Sequence, residues 1–145
     1  FRGSWCYPSL VTFPNASPGV RGRLDDRIGA QVMAFAANYA GAAPAREEID
    51  ARPGALLLEF GVAWCPHCQR AQASIEAALR RHPELAHVKI EDGPGRRLGR
   101  SFRVREWPTL IFLSDGRELE RLVRPQGSEA IGEAIDRLLT TKGPA

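Results

Sequence analysis

Cysteine is scarce in this chain of 145 residues, which has three: Cys6, Cys65 and Cys68. Three cysteines are too few for the disulfide network that stabilises many small secreted proteins, and the odd number leaves at least one thiol unpaired. Because an unpaired thiol is at risk of mispairing in an oxidising compartment, the cysteine content favours a reducing one. We therefore expect a cytoplasmic protein, or a periplasmic one if a signal peptide has been removed.

The sequence also lacks a long apolar run and a strong net charge. No stretch approaches the roughly 20 apolar residues that a membrane-spanning helix requires. The net charge is +3, and residues 1–32 alone hold four arginines against two aspartates, a net of +2. The rest of the chain therefore has no basic surface of the kind that binds nucleic acid. We expect neither a membrane nor a nucleic acid as a partner.

Residues 1–32 also differ in composition from the rest of the chain. They mix Pro, Gly, Ser and aromatic residues without the period of a helix or strand, and they lack the apolar core of a signal peptide. Met33 is the only methionine, and we predict that it lies at or near the biological start. Residues 1–32 would then be a non-native or disordered extension, residues 33–145 the folded domain, and Cys6 without a role. The alternative is a native N-terminal extension.

The centre of the chain joins an apolar run to two cysteines. Residues 56–60 are apolar except for Glu59, which is typical of a short central strand buried on both faces. The stretch Cys65-Pro66-His67-Cys68 follows. Apolar residues at helical spacing then predict an amphipathic helix over residues 66–81. A buried strand is thus expected to place two thiols in the first turn of a helix.

The other segments complete the prediction of a mixed α/β domain. Helices are predicted over residues 44–50, 66–81, 98–104 and from Ser128 onward, and strands over 56–60, 88–91, 109–113 and 117–123. Pro44 is expected in the first turn of the first helix, and Ser128 is expected to cap the last. A parallel pair of strands linked by a helix, followed by an antiparallel hairpin, predicts a central mixed sheet of about four strands flanked by helices.

Two thiols at this spacing favour thiol–disulfide exchange. One thiolate attacks a disulfide, and the second thiol then displaces the product from the mixed disulfide. Cys65 should be the attacking thiol, because it faces the free amides and the positive end of the helix dipole, which lower its pKa. Cys68 lies about one turn further on and should be the resolving thiol. Pro66 fixes the start of the helix without loss of a hydrogen bond.

His67 lies between the two thiols. It can donate a hydrogen bond to the Cys65 thiolate, or repel protons from it when charged, and either effect stabilises the reduced form. Two other interpretations give the cysteines no redox role, namely an inert pair and one half of a zinc site. Structural zinc needs four ligands, and the chain has no second cysteine pair, so we expect no metal and no other cofactor.

The stretch Trp64-Cys65-Pro66-His67-Cys68 after an apolar strand, with Trp107-Pro108-Thr109-Leu110 further on, resembles the thioredoxin superfamily. The resemblance spans roughly residues 56–139 and implies a thioredoxin fold. It implies that Pro108 is a cis-proline beside the active-site sulfurs. It also places Trp64, Pro66, Trp107 and Pro108 at the substrate, with the Trp107 backbone pairing with the substrate chain and Trp64 shielding the site.

The same resemblance gives a role to Glu59, six residues before Cys65. Thioredoxins have a buried acidic residue at this spacing, usually Asp, that takes part in proton transfer for the resolving thiol. Glu59 is therefore expected to be buried and to serve this role, the alternative being a strand residue exposed to solvent. Lys89, nineteen residues before Pro108, matches a lysine that lies near that acid.

Two features depart from the thioredoxin pattern. The dipeptide between the cysteines is Pro66-His67, where thioredoxins have Gly-Pro, and this dipeptide is the one that DsbA-like periplasmic oxidants carry. After the last strand, where thioredoxins place a glycine near the substrate groove, this chain has Arg124-Pro125. That change can narrow the groove or add charge to it.

The expected function is that of a monomeric thiol–disulfide oxidoreductase that reduces or exchanges disulfides in protein substrates. The electron donor would be a thioredoxin-reductase-like enzyme or glutathione. The alternatives are a dithiol oxidant or isomerase, and a non-catalytic thioredoxin-like module that senses redox state. The reduction potential distinguishes a reductant from an oxidant, since thioredoxin has a potential of about −270 mV and DsbA one of about −120 mV.

Overall fold

A computed structural model describes residues 35–141 of the chain. The elements are α1 (Arg46–Asp50), β1 (Ala55–Gly61), α2 (Pro66–Arg80), β2 (Ala86–Glu91), α3 (Arg97–Ser101), β3 (Thr109–Ser114), β4 (Arg117–Val123) and α4 (Ser128–Thr140). Their order is the predicted one. The predictions for residues 1–32, Met33 and Cys6 lie outside the described residues. Within residues 35–141, no helix has the length and apolar content needed to cross a membrane.

The four strands form one mixed sheet in the order β2-β1-β3-β4. β1 runs parallel to β2 and antiparallel to β3, and β3 and β4 form an antiparallel hairpin. β1 therefore lies in the interior of the sheet, with a hydrogen-bonded neighbour on each side. This arrangement confirms the predicted thioredoxin fold.

The residues of β1 contribute to a hydrophobic core on each face of the sheet. Leu56, Leu58 and Phe60 pack with residues of α1 and α3. Leu57 packs on the opposite face with residues of α2 and α4. Successive strand residues point to opposite faces, so Glu59 shares the face of Leu57, beneath α2. Burial on both faces explains why this strand is almost uniformly apolar in sequence.

Several local predictions were wrong at the ends of helices. α1 begins at Arg46, so Pro44 precedes its first turn. α3 ends at Ser101 and not near residue 104, because Arg103 has a left-handed backbone, with φ of 56°, that an α-helix does not continue. Ser128 is the first residue of α4 and does not cap it. The N-cap position is Gly127, and no side-chain hydrogen bond caps this end.

The predicted alternation of β4 is interrupted by a bulge. Phe112 pairs with Glu120 and Leu113 pairs with Glu118, which leaves Leu119 as an extra residue between them. Leu119 is 45% exposed as a result. The strand is half-exposed, as expected, although its apolar residues do not all point to the core.

Candidate active site

The two cysteines lie where β1 gives way to α2. Cys65 is the N-cap residue of α2 and has an extended backbone, while Cys68 lies in the first turn of the helix. Both thiols are free, and Cys65 and Cys68 are only 5% and 2% exposed. The sulfurs therefore lie in an enclosed site at the end of the central strand. Within residues 35–141, no three His, Cys, Asp or Glu side chains are grouped so as to hold a metal ion.

The first turn of α2 directs two backbone amides at the Cys65 sulfur. Pro66 has no N–H, and the N–H of Gln69 donates to the carbonyl of Cys65 at 3.0 Å. The other two backbone donors of this turn are the N–H groups of His67 and Cys68. Both form hydrogen bonds with the Cys65 sulfur. Pro66 thus begins the helix without removing either of the amides that the thiolate uses.

The environment lowers the pKa of the Cys65 thiol below its ordinary value. Burial is the largest influence and acts in the opposite direction. It is outweighed by hydrogen bonds from the backbone and the thiol of Cys68, by the backbone of His67 and by the positive charge of Arg124. Cys65 is therefore the thiol that ionises first.

Burial raises the pKa of Cys68 to about 11. A backbone hydrogen bond with Val62 acts against this increase, while the hydrogen bond with Cys65 and the charges of Cys65 and Glu59 add to it. The two thiols therefore differ in the direction that their predicted roles require. An attacking thiol needs a lowered pKa, as Cys65 has, and a resolving thiol that keeps its proton needs a raised one, as Cys68 has.

The peptide bond between Trp107 and Pro108 is cis, as the resemblance implied. Pro108 is buried, and the next residue, Thr109, begins β3 and pairs with Phe60 near the end of β1. Pairing of the two strands thus brings the cis-proline to the edge of the sheet that carries the cysteines. The Trp107 side chain packs against the buried cluster that contains both cysteines.

The surface beside the thiols is aromatic. Trp64 is 73% exposed, so it does not belong to the core. Its ring lies edge-on to that of Trp107, with 5.8 Å between the centroids and 84° between the planes. The indole N–H of Trp107 donates to Oδ2 of Asp92 at 2.8 Å, which fixes the ring against the site. Trp64 thus presents an apolar face next to Cys65.

Arg124 connects the end of β4 to the loop that contains the cis-proline. Its backbone is left-handed, with φ of 49°. Its N–H donates to the carbonyl of Pro108 at 2.9 Å, and its Nε donates to the carbonyl of Trp107 at 3.0 Å. The sequence indicated only that a residue here can alter the groove. The structure adds that its positive charge acts on Cys65.

The imidazole of His67 has its contact with Arg70. The residue is exposed, and Nδ1 lies 3.1 Å from a guanidinium nitrogen of Arg70. Among the described residues, it is the backbone N–H of His67, and not its ring, that forms the hydrogen bond with Cys65. The residue therefore contributes to the thiolate chiefly through the main chain.

Glu59 is completely buried, as predicted, and each of its carboxylate oxygens has a partner. Nε2 of Gln72 donates to Oε1 at 2.7 Å, and Nε2 of His87 donates to Oε2 at 3.0 Å. Nζ of Lys89 lies 3.9 Å from Oε1 and donates to the side-chain oxygen of Gln72 at 2.8 Å. The acid, the lysine and two further polar residues thus form one network beneath α2.

His87 was not identified from the sequence as a site residue. The N–H of Ala36 donates to Nδ1 at 2.9 Å, so Nδ1 is an acceptor and the ring carries its proton on Nε2. That proton points at Glu59. The sequence contained a signal for this contact, since His87 and Lys89 alternate with apolar residues along β2, and buried polar groups need partners.

Comparisons with known proteins agree with this geometry. A protein-family model described as Thioredoxin matches residues 38–137. The solved structure of thioredoxin 2 from Pseudomonas aeruginosa PAO1 in its reduced form is 48% identical, with a TM-score of 0.67, and the match covers 74% of this chain and 100% of that chain.

Curated relatives include both thioredoxins and larger proteins. Thioredoxin from Chlamydia trachomatis serovar D is 27% identical over 84 residues, which cover 58% of this chain and 82% of that protein. Protein disulfide-isomerase A3 from Gallus gallus is 32% identical over 95 residues, which cover 65% of this chain and 18% of that protein. The match to a putative thioredoxin H10 from Arabidopsis thaliana spans 48% of that protein, so the chain corresponds to about half of its length.

The free thiols of Cys65 and Cys68, their opposite pKa shifts and the adjacent cis-proline occur here on a thioredoxin fold. The matched family model covers most of the described domain. The chain therefore belongs to the thioredoxin family, and Cys65 and Cys68 form the dithiol of a thiol–disulfide oxidoreductase.

Proposed function

We propose that this protein reduces or exchanges disulfides in protein substrates, with Cys65 as the attacking thiol and Cys68 as the resolving thiol. The observation that carries the proposal is the opposite shift of the two pKa values, lowered for Cys65 and raised to about 11 for Cys68. With these pKa values, Cys65 is the sulfur that attacks, and Cys68 stays protonated until the second step. The exposed ring of Trp64 supplies an apolar surface against which a polypeptide can lie.

The proposal is tested by reduction of insulin disulfides with dithiothreitol as the electron source. The wild-type protein should accelerate the reaction, and Cys65→Ser should abolish the acceleration. Cys68→Ser should still attack and should accumulate as a mixed disulfide with the substrate, because its second step is blocked. Activity of wild-type magnitude in Cys65→Ser would refute the assignment of Cys65.

A second candidate function is that of a dithiol oxidant or isomerase. It is favoured by the charge of Arg124 and the two amides at the Cys65 sulfur, because groups that stabilise the thiolate also stabilise the reduced protein. Equilibration of the Cys65–Cys68 pair with glutathione distinguishes the two directions. A potential near about −270 mV favours a reductant, and one near about −120 mV favours an oxidant.

A third possibility is a thioredoxin-like module that senses redox state without turnover. A thiolate at Cys65 should react rapidly with iodoacetamide at neutral pH. Slow alkylation, together with absence of insulin reduction, would favour the sensor over both enzymatic functions.

We further propose that the protein works as a monomer in a reducing compartment such as the cytoplasm, with a thioredoxin-reductase-like enzyme or glutathione as its electron donor. The three cysteines support this, since one of them has no partner within the chain when the other two form a disulfide. Acid trapping of thiols in intact cells, followed by alkylation, should find Cys65 and Cys68 mainly reduced. A mainly oxidised pair would contradict the compartment.

A further inference from the structure

Tyr39 lies beside the resolving cysteine. It belongs to the segment that precedes α1 and runs along β2, where the N–H of Ala40 donates to the carbonyl of Lys89 at 2.8 Å. Nζ of Lys89 lies 4.6 Å from the centroid of the Tyr39 ring and donates to the carbonyl of Ala37 at 3.3 Å. Contacts with Lys89, a buried residue of β2, thus hold this segment and the Tyr39 ring in place.

The hydroxyl of Tyr39 and the sulfur of Cys68 approach each other beside Gly61. Gly61 makes room for this contact, because a Cβ at this position would lie 2.6 Å from the Cys68 sulfur and 3.0 Å from the Tyr39 oxygen. Both groups lie in one small space that only a glycine leaves free.

A cavity of about 220 Å³ opens beside this contact and is lined by Tyr39, Cys68, Gln72 and Lys89 among others. The cavity is large enough to hold water, and Tyr39, Gln72 and Lys89 contribute polar groups to a lining that is otherwise largely apolar. A proton that leaves Cys68 can therefore pass to water in this cavity.

The Tyr39 hydroxyl keeps its proton and is therefore available as a donor to a thiolate at Cys68. Burial, together with the charges of Cys68 and Glu59, raises the pKa of Tyr39 well above its ordinary value, so the phenol stays protonated throughout the working range of a thiol. An O–H that points at a sulfur stabilises the thiolate more than the thiol, because hydrogen bonds to charged groups are the stronger ones.

We propose that Tyr39 is a catalytic residue of the resolving step, where its hydroxyl donates to the Cys68 sulfur as that sulfur becomes a thiolate. The inference rests on the function proposed above. Cys68 loses its proton to water, and its thiolate attacks the Cys65 sulfur of the mixed disulfide. The Cys65–Cys68 bond forms, the bond to the substrate sulfur breaks, and the leaving thiolate takes up a proton. The protein dithiol is oxidised by two electrons, and the substrate disulfide is reduced.

The test follows the two steps separately in Tyr39→Phe, which keeps the ring over Lys89 and removes only the hydroxyl. Reduced protein is mixed with oxidised glutathione, quenched in acid at successive times and analysed by mass spectrometry for the protein–glutathione mixed disulfide. Formation should proceed at the wild-type rate. Decay should slow about tenfold, as expected for the loss of one hydrogen bond to a charged group, so that the mixed disulfide accumulates.

The result that overturns the proposal is decay at the wild-type rate, or equal slowing of both steps, which indicates a general structural effect. If the wild-type protein forms no mixed disulfide, the proposed function fails, whereas formation followed by unchanged decay removes only the role of Tyr39.

A second variant covers the case in which Tyr39→Phe does not fold. The chain has two tyrosines, Tyr7 and Tyr39, so a Tyr7→Phe protein grown with 3-fluorotyrosine carries the label at Tyr39 alone. A fluorinated phenol is a stronger hydrogen-bond donor, so decay of the mixed disulfide should be faster than in unlabelled Tyr7→Phe. Equal decay rates would overturn the proposal.

Discussion

The side chain of Arg124 donates a hydrogen bond from Nε to the carbonyl oxygen of Trp107, at 3.0 Å. The resemblance to thioredoxins implies that the backbone of Trp107 pairs with the substrate chain. A carbonyl oxygen has two lone pairs, so a substrate N–H that binds here shares the oxygen with the guanidinium. Substrate pairing at Trp107 therefore does not require the guanidinium of Arg124 to leave this oxygen.

Replacement of Arg124 by Gln should raise the pKa of Cys65, because it removes a positive charge that favours the thiolate. At neutral pH the rate of alkylation by iodoacetamide should fall by about twofold to fivefold, in keeping with a partly exposed charge. The pH profile of alkylation should move to higher pH by the corresponding amount. Arg80→Gln removes an equal charge from the exposed far end of α2 and should leave the profile in place. A shift of equal size in both variants would contradict the local role of Arg124.

Two substitutions at His67 separate its ring from its backbone. His67→Ala keeps the N–H that reaches Cys65, and His67→Pro removes it. The pKa of Cys65 should therefore change little in the Ala variant and rise in the Pro variant, with a lower reduction potential in the latter. Thiolate absorbance of the reduced protein as a function of pH gives the pKa, and equilibration with glutathione gives the potential. A large shift in His67→Ala would show that the ring acts on the thiolate after all.

The sequence was sufficient to predict the order of the elements because each core strand is apolar and each long helix has a continuous apolar face. The cysteines and the cis-proline were identified because they occur in a recognisable local pattern. Tyr39 and His87 were missed because their roles come from pairing across the sheet and from a segment without secondary structure. The alternation of residues along β2 can indicate that His87 is buried, but it does not identify the residues that His87 or Tyr39 contacts. The predicted cap at Ser128 was wrong for a related reason. The N-cap position of α4 is Gly127, and no side-chain hydrogen bond marks the start of this helix.

Loss of the imidazole of His87 should destabilise the fold more than loss of any exposed histidine. In His87→Phe, the ring still stacks on Phe35, but Oε2 of Glu59 and the N–H of Ala36 lose their hydrogen-bond partners. Two buried polar groups without partners should lower the free energy of unfolding by about 2–4 kcal/mol, measured by urea denaturation. His82→Gln is the matched control, since its ring faces exposed carboxylates and its loss should change stability by less than about 0.5 kcal/mol. Similar losses in both variants would contradict a structural role for the buried pair.

The reduced protein should lose stability as the pH rises from 9 towards about 11. The pKa of Cys68 is higher in the folded state than its ordinary value of 9.0, so the folded protein binds this proton more tightly than the unfolded chain. The resulting stabilisation is complete below the unfolded pKa and is lost as the pH passes through the folded value. Urea midpoints of the reduced wild type should therefore fall more steeply over this range than those of Cys68→Ser, which has no thiol at this position. Parallel declines would show that other groups account for the effect.

Gly61→Ala should impair the resolving step and the fold together, because the new Cβ would lie 2.6 Å from the Cys68 sulfur and 3.0 Å from the Tyr39 oxygen. One of these groups must move, which separates the hydroxyl from the sulfur. Overpacking of this kind lowers the free energy of unfolding by about 1–3 kcal/mol.

Acid-quenched reactions with oxidised glutathione should show slower decay of the mixed disulfide in Gly61→Ala, with formation less affected. Gly132→Ala is the matched control, since its Cβ would meet no atom within 4 Å. Gly132 lies inside α4, where Ala is the better helix former by about 1 kcal/mol, so that variant should be more stable than the wild type and resolve at its rate. If Gly61→Ala also resolves at the wild-type rate, the contact between Tyr39 and Cys68 does not govern the second step, and the glycine serves packing alone.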